Sequence, residues 1–554
     1  MEHVTEPGIA PGRMEDRRYQ AAMAAGCLRE NTLVILPTGL GKTAVAARVA
    51  ARVLSEGGKV LALAPTKPLV DQHAAYFSEM LPECRVEMIN GLMAPEKRKR
   101  IVSECDFVIS TPQSVSNDLD NRMYDLEPFG LVIFDEAHRA TGSYAYVNVA
   151  AHIPPGVRSM GMTASPGSDM GKIEEVCRNL SITRVDIRSD DDPDVAPYVH
   201  DTYVNRIEVN MPKDLADVSA LFRRMLDGYY EELVGLRLAN PNWPPSTKHM
   251  LTIGQTLQAR LARGEKTNAI FRGLSVQSIC IKLLHAIDLA ETQGMSALRA
   301  YLSKISEDAA DPKGSRANKE LASREECREA WRIASESNVE HPKVSKIMSL
   351  VSQVLGSQPG NKVIVFTQYR ESCDIIADKL SMVHGARVCK LIGQANGGLK
   401  QKEQVGILDD FRAGRYNVVV STSVGEEGLD ITSTNAVIFY EPVSSEIRTI
   451  QRRGRTGRKN DGEVYVLVAK GTMDEVAEQN SRRKERLMRE RLETLNADLG
   501  RRRQRFSGQT EIGGFRRRGS GKSPRRSTDW KPPRRGWRWP KYSQGSSAGW
   551  SRRT

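Results

Sequence analysis

Short apolar runs recur in two parts of the chain, and a stretch with helical spacing follows each run. Strands that alternate with helices predict a doubly wound parallel sheet. The apolar runs of the first series are 33–36, 59–64, 106–110, 131–134 and 160–162. A second series begins at 362–366 and ends at 463–468. The pattern therefore predicts two α/β domains of this kind.

The region between the two series lacks strand-like runs. Its apolar residues recur at helical spacing, as in Leu215, Val218 and Phe222, and this spacing predicts a helical insertion. We therefore divide the chain of 554 residues into five segments. They are a disordered N-terminus (1–14), a first α/β domain (15–204), the insertion (205–340), a second α/β domain (341–498) and a basic tail (499–554).

The first apolar run leads into a glycine-containing turn, Gly39-Leu40-Gly41-Lys42-Thr43, preceded by Pro37-Thr38. Strand, turn and helix in this order predict a phosphate loop, in which backbone N–H groups and the helix N-terminus hold a polyphosphate. Lys42 would meet the β and γ oxygens, and the Thr43 hydroxyl would ligate Mg²⁺. A purely structural turn is the alternative for this motif taken alone.

An acidic pair, Asp135-Glu136, follows the apolar run 131–134. Ligands bind at the carboxyl ends of strands in an open α/β sheet. Asp135 could hold Mg²⁺ there, and Glu136 could orient and deprotonate an attacking water. A solvated turn is the alternative, and the phosphate loop upstream argues against it.

The second α/β domain contains no phosphate loop, but it carries a glycine-spaced basic cluster at 451–458. A solvated helix face is the ordinary interpretation of such a cluster. Here the glycines let the guanidinium groups converge, and two arginines on a γ-phosphate would neutralise charge in the transition state. We expect them to act across a cleft on a nucleotide bound by the first domain.

The net charge of +13 is concentrated in the tail, where residues 499–554 hold seventeen lysines and arginines and two acids. Seven aromatic residues are interleaved with these charges. Low aliphatic content predicts disorder, and arginines with aromatics suit phosphate contacts and base stacking. A solubilising tail is the alternative to nucleic-acid binding. The aromatic residues are Phe506, Phe515, Trp530, Trp537, Trp539, Tyr542 and Trp550.

The eight cysteines are scattered and form no C-x-x-C pair, which predicts reduced thiols and neither disulfides nor a zinc site. The N-terminal residues 1–11 have no apolar core of signal-peptide length. We find no run of about 18 apolar residues, the length that a membrane span requires. A cytoplasmic, nucleoid-associated location is therefore expected.

The motifs in this order resemble those of a superfamily 2 DEAH-box helicase over residues 15 to about 490. Within that superfamily the chain is most similar to the helicase part of archaeal Hef and eukaryotic FANCM, on residues 36–43, 441–451 and the helical insertion. The matching motifs are Gln20, Pro37–Thr43, Ala64–Val70, Ser110–Gln113, Asp135–His138, Thr163–Ser165, Val365–Tyr369, Ser423–Asp430 and Gln451–Arg458.

The resemblance implies roles for individual residues. The ATP-binding set would be Gln20, on the adenine, with Thr38, Gly39, Leu40, Gly41, Lys42, Thr43, Gly428, Asp430 and Gln451. The catalytic set would be Lys42, Asp135, Glu136 and two arginine fingers, Arg455 and Arg458. Coupling of hydrolysis to motion would involve His138, Thr163 and Ser165. Contacts to a nucleic-acid backbone would come from Thr66, Lys67, Thr111, Thr367 and Gln368.

The resemblance implies an enzyme that uses ATP and Mg²⁺ to move on branched or forked DNA and on single-strand/duplex junctions. One departure concerns the Glu-Arg-Lys-x-x-x-Asp nuclease signature of archaeal Hef, which this sequence does not contain. A separate nuclease or clamp that docks on the tail is a further hypothesis. Three different functions compete with this one: an RNA-directed motor like Dicer and RIG-I-like helicases, a non-catalytic nucleic-acid scaffold, and a small-molecule kinase.

Overall fold

The computed structural model describes residues 2–189, 192–199, 202–393, 398–422, 434–445 and 462–509. Its contacts divide the chain after Arg502 into two units. Within the first unit, the described residues form two parallel-sheet α/β domains and a bundle of helices between them in sequence. This is the fold class that the hydrophobic pattern predicts.

The first α/β domain is built on a parallel sheet. Its strands are β1 (Thr32–Ile35), β2 (Lys59–Leu63), β3 (Val86–Ile89), β4 (Phe107–Ser110), β5 (Phe129–Asp135), β6 (Arg158–Thr163) and β7 (Arg184–Ile187). They lie in the order β3-β4-β2-β5-β6-β1-β7. The helices are α1 (Arg18–Arg29), α2 (Lys42–Ser55), α3 (Lys67–Met80), α4 (Pro95–Glu104), α5 (Pro112–Asp120), α6 (Ala145–Ala151) and α7 (Met170–Asn179).

Both faces of this sheet are buried, which explains why its central strands read as continuous apolar runs. In β1, Val34 belongs to the core on one face, whereas Leu33 and Ile35 belong to the core on the other. In β5, Ile133 and Phe134 divide between the same two cores. The sheet therefore fixes the positions of the strand ends that carry the candidate site.

The N-terminal segment is ordered, so the prediction of disorder over 1–14 is wrong. Val4 and Met14 are buried in the core of the first domain. The physical reason is Arg48, which lies on α2 with a side chain only 5% exposed. A buried guanidinium needs anionic partners, and it finds them in Glu6 and, at 2.7 Å, in Asp16.

The helical insertion comprises six helices among the described residues. They are α8 (Lys213–Gly235), α9 (Thr247–Ala262), α10 (Asn268–Asp288), α11 (Met295–Ala310), α12 (Arg316–Ser323) and α13 (Glu325–Glu336). A π-helical turn, Leu289–Gln293, follows α10 directly. The predicted start of the insertion at 205 is wrong, because Thr202–Val209 forms a strand, β8. Its residues pair in parallel with Gly462–Ala469 of the second domain.

The second α/β domain has a parallel sheet of six strands in the described part of the chain. Besides β8 these are β9 (Val363–Phe366), β10 (Val388–Leu391), β11 (Val418–Ser421), β12 (Ala436–Phe439) and β13 (Gly462–Ala469). They lie in the order β10-β11-β9-β12-β13-β8. The helices are α14 (Pro342–Ser357), α15 (Arg370–Leu380) and α16 (Gln401–Arg412). The strand β8 was missed because it lies far in sequence from its partner β13.

A long charged helix, α17 (Met473–Gln509), follows β13. The sequence predicts disorder from 499, but the helix continues to Gln509. The rest of the predicted tail, 510–554, lies outside the described residues.

Another segment, Asn268–Gln293, is long and apolar enough to cross a membrane by length and composition, but half of its apolar window is buried inside the protein. A core helix of a bundle has the same properties.

A buried polar cluster joins the insertion, the second α/β domain and α17. The side chain of Lys343, at the start of α14, is fully buried. Its Nζ lies 2.5 Å from Asp474 Oδ2 and donates to the carbonyl of Thr292 at 3.2 Å. Glu291 accepts from Ser219 at 2.5 Å and from the backbone N–H of Met473 at 3.0 Å. This cluster holds the three parts in one arrangement.

We predict that Lys343→Ala destabilises the protein strongly. The substitution leaves Asp474 as a buried charge without its cation, and breaking such a pair costs about 3–5 kcal/mol. Denaturant unfolding followed by circular dichroism measures the loss. The matched control is Lys346→Ala, one turn along the same helix and exposed, which should change stability by less than about 0.5 kcal/mol. Equal effects of the two substitutions would contradict the importance of the pair.

Candidate nucleotide-binding site

The turn between β1 and α2 has the backbone of an anion-binding loop. Gly39 and Gly41 both have positive φ, 93° and 83°. Gly41 is the N-cap of α2, so the first N–H groups of that helix have no helical partners and are available to an anion. Lys42 Nζ donates to the carbonyl of Leu36 at 3.2 Å. The cationic side chain therefore lies over the loop.

Gln20 packs directly against this loop. Its Nε2 donates to the carbonyl of Leu40 at 3.0 Å, and the hydroxyl of Tyr19 donates to the same oxygen at 2.7 Å. Gln20 is only 3% exposed, and its Oε1 is buried with no hydrogen-bond partner. A buried acceptor without a donor is unfavourable by about 1–3 kcal/mol. The amino group of an adenine would satisfy it, which fits the predicted role of Gln20.

The carboxylate of Asp135 stands at the carboxyl end of β5 and is 7% exposed. Its Oδ2 lies 2.8 Å from His73 Nε2, and its Oδ1 accepts the N–H of Glu136 at 3.0 Å. Burial raises the pKa of Asp135, but the hydrogen bond from His73 and the charge of Lys42 outweigh burial and lower it overall. Asp135 is therefore an ionised, oriented carboxylate, the type of ligand that Mg²⁺ accepts.

Glu136 adopts a left-handed backbone conformation, with φ and ψ both 49°. Such a conformation is unfavourable for a residue other than glycine by about 1–3 kcal/mol, and it is found at functional sites. The Oε2 atom is buried, has no hydrogen-bond partner and lies 3.3 Å from His138 Nδ1. A carboxylate at the end of this strand can accept a proton from a water bound beside the nucleotide.

A series of contacts leads from the acidic pair to the next strand. His138 Nδ1 lies 3.1 Å from Thr163 Oγ1, and Thr163 donates to the carbonyl of Ser165 at 2.9 Å. All three residues were predicted to couple hydrolysis to motion. The structure brings them together because β5 and β6 are parallel neighbours, with Asp135 opposite Met162.

The series continues to a residue that sequence reasoning missed. The hydroxyl of Ser165 donates to the sulfur of Met488, on α17, at 2.9 Å. Met488 is buried in the core of the first α/β domain, and Arg491 donates to the carbonyl of Ser168. The available signal was Leu487-Met488, an apolar pair within a run of charges. The charged helix thus packs onto the coupling motif.

Three predicted nucleic-acid contacts lie at the starts of helices α3 and α5. Thr66 and Thr111 are the N-cap residues of these helices, and Lys67 is exposed. The hydroxyl of Thr66 makes no capping bond, and its Oγ1 is buried and unpartnered. Because β2 and β4 are adjacent, the two helix starts lie side by side. Together they form a strip that suits phosphates.

The two predicted contacts in the second domain differ from each other. Gln368 is exposed, as a nucleic-acid contact requires. Thr367 is fully buried, and its hydroxyl donates to Glu441 Oε2 at 3.3 Å. The prediction that the Thr367 side chain contacts a nucleic acid directly is therefore wrong, because the side chain is not accessible in this structure. Thr367 instead orients Glu441, which also accepts the backbone N–H of Gln368.

The remaining candidates of the second domain lie outside the described residues. These are the predicted ATP ligands and arginine fingers Gly428, Asp430, Gln451, Arg455 and Arg458. The described part of the chain contains no group of three or more His, Cys, Asp or Glu residues that could hold a metal ion. A magnesium ion bound by one carboxylate, one hydroxyl, phosphates and water needs no such group. Asp135 and Thr43 fit that donor set.

Three family models match the chain. They are described as type III restriction enzyme, res subunit (residues 13–168), putative ATP-dependent RNA helicase, helical bundle (214–341), and helicase conserved C-terminal domain (343–460). A solved structure, the Pyrococcus furiosus Hef helicase domain, is 41% identical with a TM-score of 0.64. It covers 84% of this chain and 98% of its own. This chain belongs to the Hef and FANCM family of superfamily 2 helicases.

Curated relatives of this family match across most of the chain. A putative ATP-dependent RNA helicase of Methanocaldococcus jannaschii is 37% identical over 89% of this chain and 62% of its own length. The mouse Fanconi anemia group M protein homolog is 31% identical over 86% of this chain and 26% of its own. The ATP-dependent DNA helicase mph1 of Neurospora crassa is 31% identical over 82% and 41%. This Hef-type chain thus spans less than two thirds of each relative.

We predict that Gly41→Ala weakens nucleotide binding. A Cβ at this position would lie 2.5 Å from Gln20 Nε2, and the backbone φ of 83° is unfavourable for alanine. Binding of a fluorescent ATP analogue should weaken by at least about tenfold, since a displacement cost of about 1.4 kcal/mol suffices for that factor. The control is Gly228→Ala in α8, where a Cβ meets nothing within 4 Å. Unchanged binding in Gly41→Ala would contradict the role of the loop.

Proposed function

We propose that the chain is an ATP-dependent DNA helicase or translocase that acts on branched or forked DNA. The observation that carries the proposal is the arrangement at the edge of the first sheet. The phosphate loop after β1 and the acidic pair Asp135-Glu136 after β5 stand at the same edge of the sheet, on either side of β6. Family membership shows that the chain uses ATP; the substrate and Mg²⁺ belong to the proposal.

The residues have distinct tasks in hydrolysis. Backbone N–H groups of the loop and Lys42 bind the phosphates, and Gln20 reads the adenine. Asp135 and Thr43 hold Mg²⁺, which when bound neutralises charge on the β and γ phosphates. Glu136 orients the attacking water and accepts its proton. The arginine cluster at 451–458 would complete the site from the second domain.

The contacts of Thr163 and Ser165 would couple ATP hydrolysis to movement along the nucleic acid. The helix starts at Thr66 and Thr111, with Lys67 and Gln368, supply polar groups for a sugar-phosphate backbone. Backbone contacts carry little sequence information, so we expect low sequence specificity. The helical insertion would grip duplex DNA or a junction.

DNA is favoured as the substrate by the relatives, of which several are named DNA helicases or Fanconi anemia group M proteins. A specific observation also supports RNA. The relative that is 37% identical is named a putative RNA helicase, and the family model of the helical insertion carries the same term. Recognition of the 2′-hydroxyl distinguishes the two polymers.

A non-catalytic scaffold and a small-molecule kinase agree less well with the site. A scaffold does not require a carboxylate such as Glu136 beside the phosphate loop, and a small-molecule kinase does not require a second α/β domain with an arginine cluster. Partners follow from the motor role. We propose that a separate nuclease or clamp docks on the tail 499–554, and that the protein acts in the cytoplasm on the nucleoid.

We expect forked DNA to stimulate ATP hydrolysis more strongly than single-stranded DNA, duplex RNA or no polymer. The stimulation should fall as salt rises, because phosphate contacts release counterions. Rates are measured with each polymer at several salt concentrations. Glu136→Gln keeps the shape of the site but removes the base, so it should lower the rate by about 10²–10⁴-fold.

The outcomes separate the motor from its competitors. A preference for duplex RNA would replace the DNA assignment with an RNA-directed motor. Equal low turnover with every polymer, unchanged in Glu136→Gln, would contradict a motor altogether and favour the scaffold.

A further inference from the structure

The resemblance assigns no role to His73, yet this residue contacts the candidate metal ligand directly. His73 lies on α3, 62 positions before Asp135 in sequence, and its Nε2 is 2.8 Å from Asp135 Oδ2. Both side chains are about nine-tenths buried. An ionised carboxylate can only accept, so the proton of this hydrogen bond is on Nε2.

The bond completes a shell of donors that fixes the carboxylate. Asp135 Oδ1 accepts the N–H of Glu136 at 3.0 Å. The hydroxyl of Tyr146 donates to the Asp135 backbone carbonyl at 2.5 Å and holds the main chain rather than the carboxylate. Without His73, the Oδ2 side would have no donor in this shell, and the carboxylate could rotate about its side-chain bond. Groups that orient a metal ligand in this way affect metal affinity by about 10–100-fold.

The position of His73 on α3 gives the bond a second consequence. Helix α3 begins with Lys67, after the N-cap residue Thr66, and these residues form part of the strip that suits phosphates. From Thr66 to His73 the helix rises about 10 Å, or two turns. A helix of this length moves as a rigid rod. A displacement of the N-terminus of α3 therefore also displaces the His73 imidazole.

The packing around the imidazole favours transmission of such a shift. The ring of Phe77, one turn later on the same helix, lies 6.0 Å from the His73 ring. The Phe77 ring packs against Phe107 of β4, with centroids 4.5 Å apart and planes tilted by 51°. The helix is thus seated on the core of the sheet rather than on solvent. Buried groups are close-packed, so the imidazole cannot move independently of α3.

We propose that His73 is a positioning residue that connects the nucleic-acid strip at Thr66 and Lys67 to the metal ligand Asp135. Binding of a sugar-phosphate backbone at the start of α3 fixes the position of the His73 imidazole. The imidazole in turn fixes the orientation of the Asp135 carboxylate that would bind Mg²⁺ with ATP. The inference rests on the proposed function, because it takes the nucleic-acid strip and the metal site from it.

A pair of amide substitutions tests the link. His73→Gln keeps an N–H at the reach of Nε2, whereas His73→Asn carries the same amide on a side chain one carbon shorter. Both place an uncharged amide in the same buried site, so differences between them report reach. The control is Gln72→Asn, an equal shortening at an exposed position of the same helix.

The first measurement is Mg²⁺ dependence of fluorescent ADP binding, without catalysis. We expect the half-saturating Mg²⁺ concentration to rise about tenfold in His73→Asn and to stay within about threefold of wild type in His73→Gln. Nucleotide binding in EDTA and the thermal midpoint should be alike in the two variants. A common loss of thermal stability with unchanged Mg²⁺ dependence would reduce His73 to a packing residue and overturn the inference.

The second measurement is the ratio of ATPase rates with and without single-stranded DNA. At saturating Mg²⁺ we expect this ratio to fall in His73→Asn and to be restored in His73→Gln. An unchanged ratio in His73→Asn would refute the connection to the nucleic-acid strip. If wild-type protein binds Mg²⁺-nucleotide but no polymer stimulates it, the proposed motor function fails, whereas the Mg²⁺ titration still decides the bond between His73 and Asp135.

Discussion

The parallel pairing of β1, β5 and β6 is the constraint on which the rest of the site depends. Parallel neighbours end at the same edge of a sheet, so the phosphate loop after β1, the acidic pair after β5 and Thr163 at the end of β6 meet there. The strands keep this register because both faces of the sheet are buried and a slip by one residue would exchange the two cores. The packing of the two cores therefore also fixes the relative positions of the catalytic residues.

Buried polar groups carry this geometry beyond the sheet. Asp135 is held by His73 and Glu136, and Thr163 and Ser165 connect Glu136, through His138, to Met488 on α17. At its other end α17 begins in the cluster around Lys343, where the insertion meets the second domain. Each of these contacts is sheltered from water, so breaking one leaves a polar group unsatisfied.

Membership of the Hef and FANCM family agrees with this arrangement and leaves the substrate as the open question. The named relatives include both DNA and putative RNA helicases, and the strip at Thr66 and Lys67 offers contacts to a backbone that the two polymers share. Discrimination between them would come from a contact to the 2′-hydroxyl.

The sequence by itself determined the two α/β domains, the phosphate loop and the acidic pair, because each follows from a local pattern of apolar runs and nearby polar residues. It did not reveal β8, whose partner β13 lies more than 250 positions away, or the order of 1–14, which depends on the buried Arg48. The contacts of Asp135 with His73 and of Ser165 with Met488 also join residues distant in sequence. Only tertiary packing decides such pairs, since burial selects a partner by position in space and not by spacing along the chain.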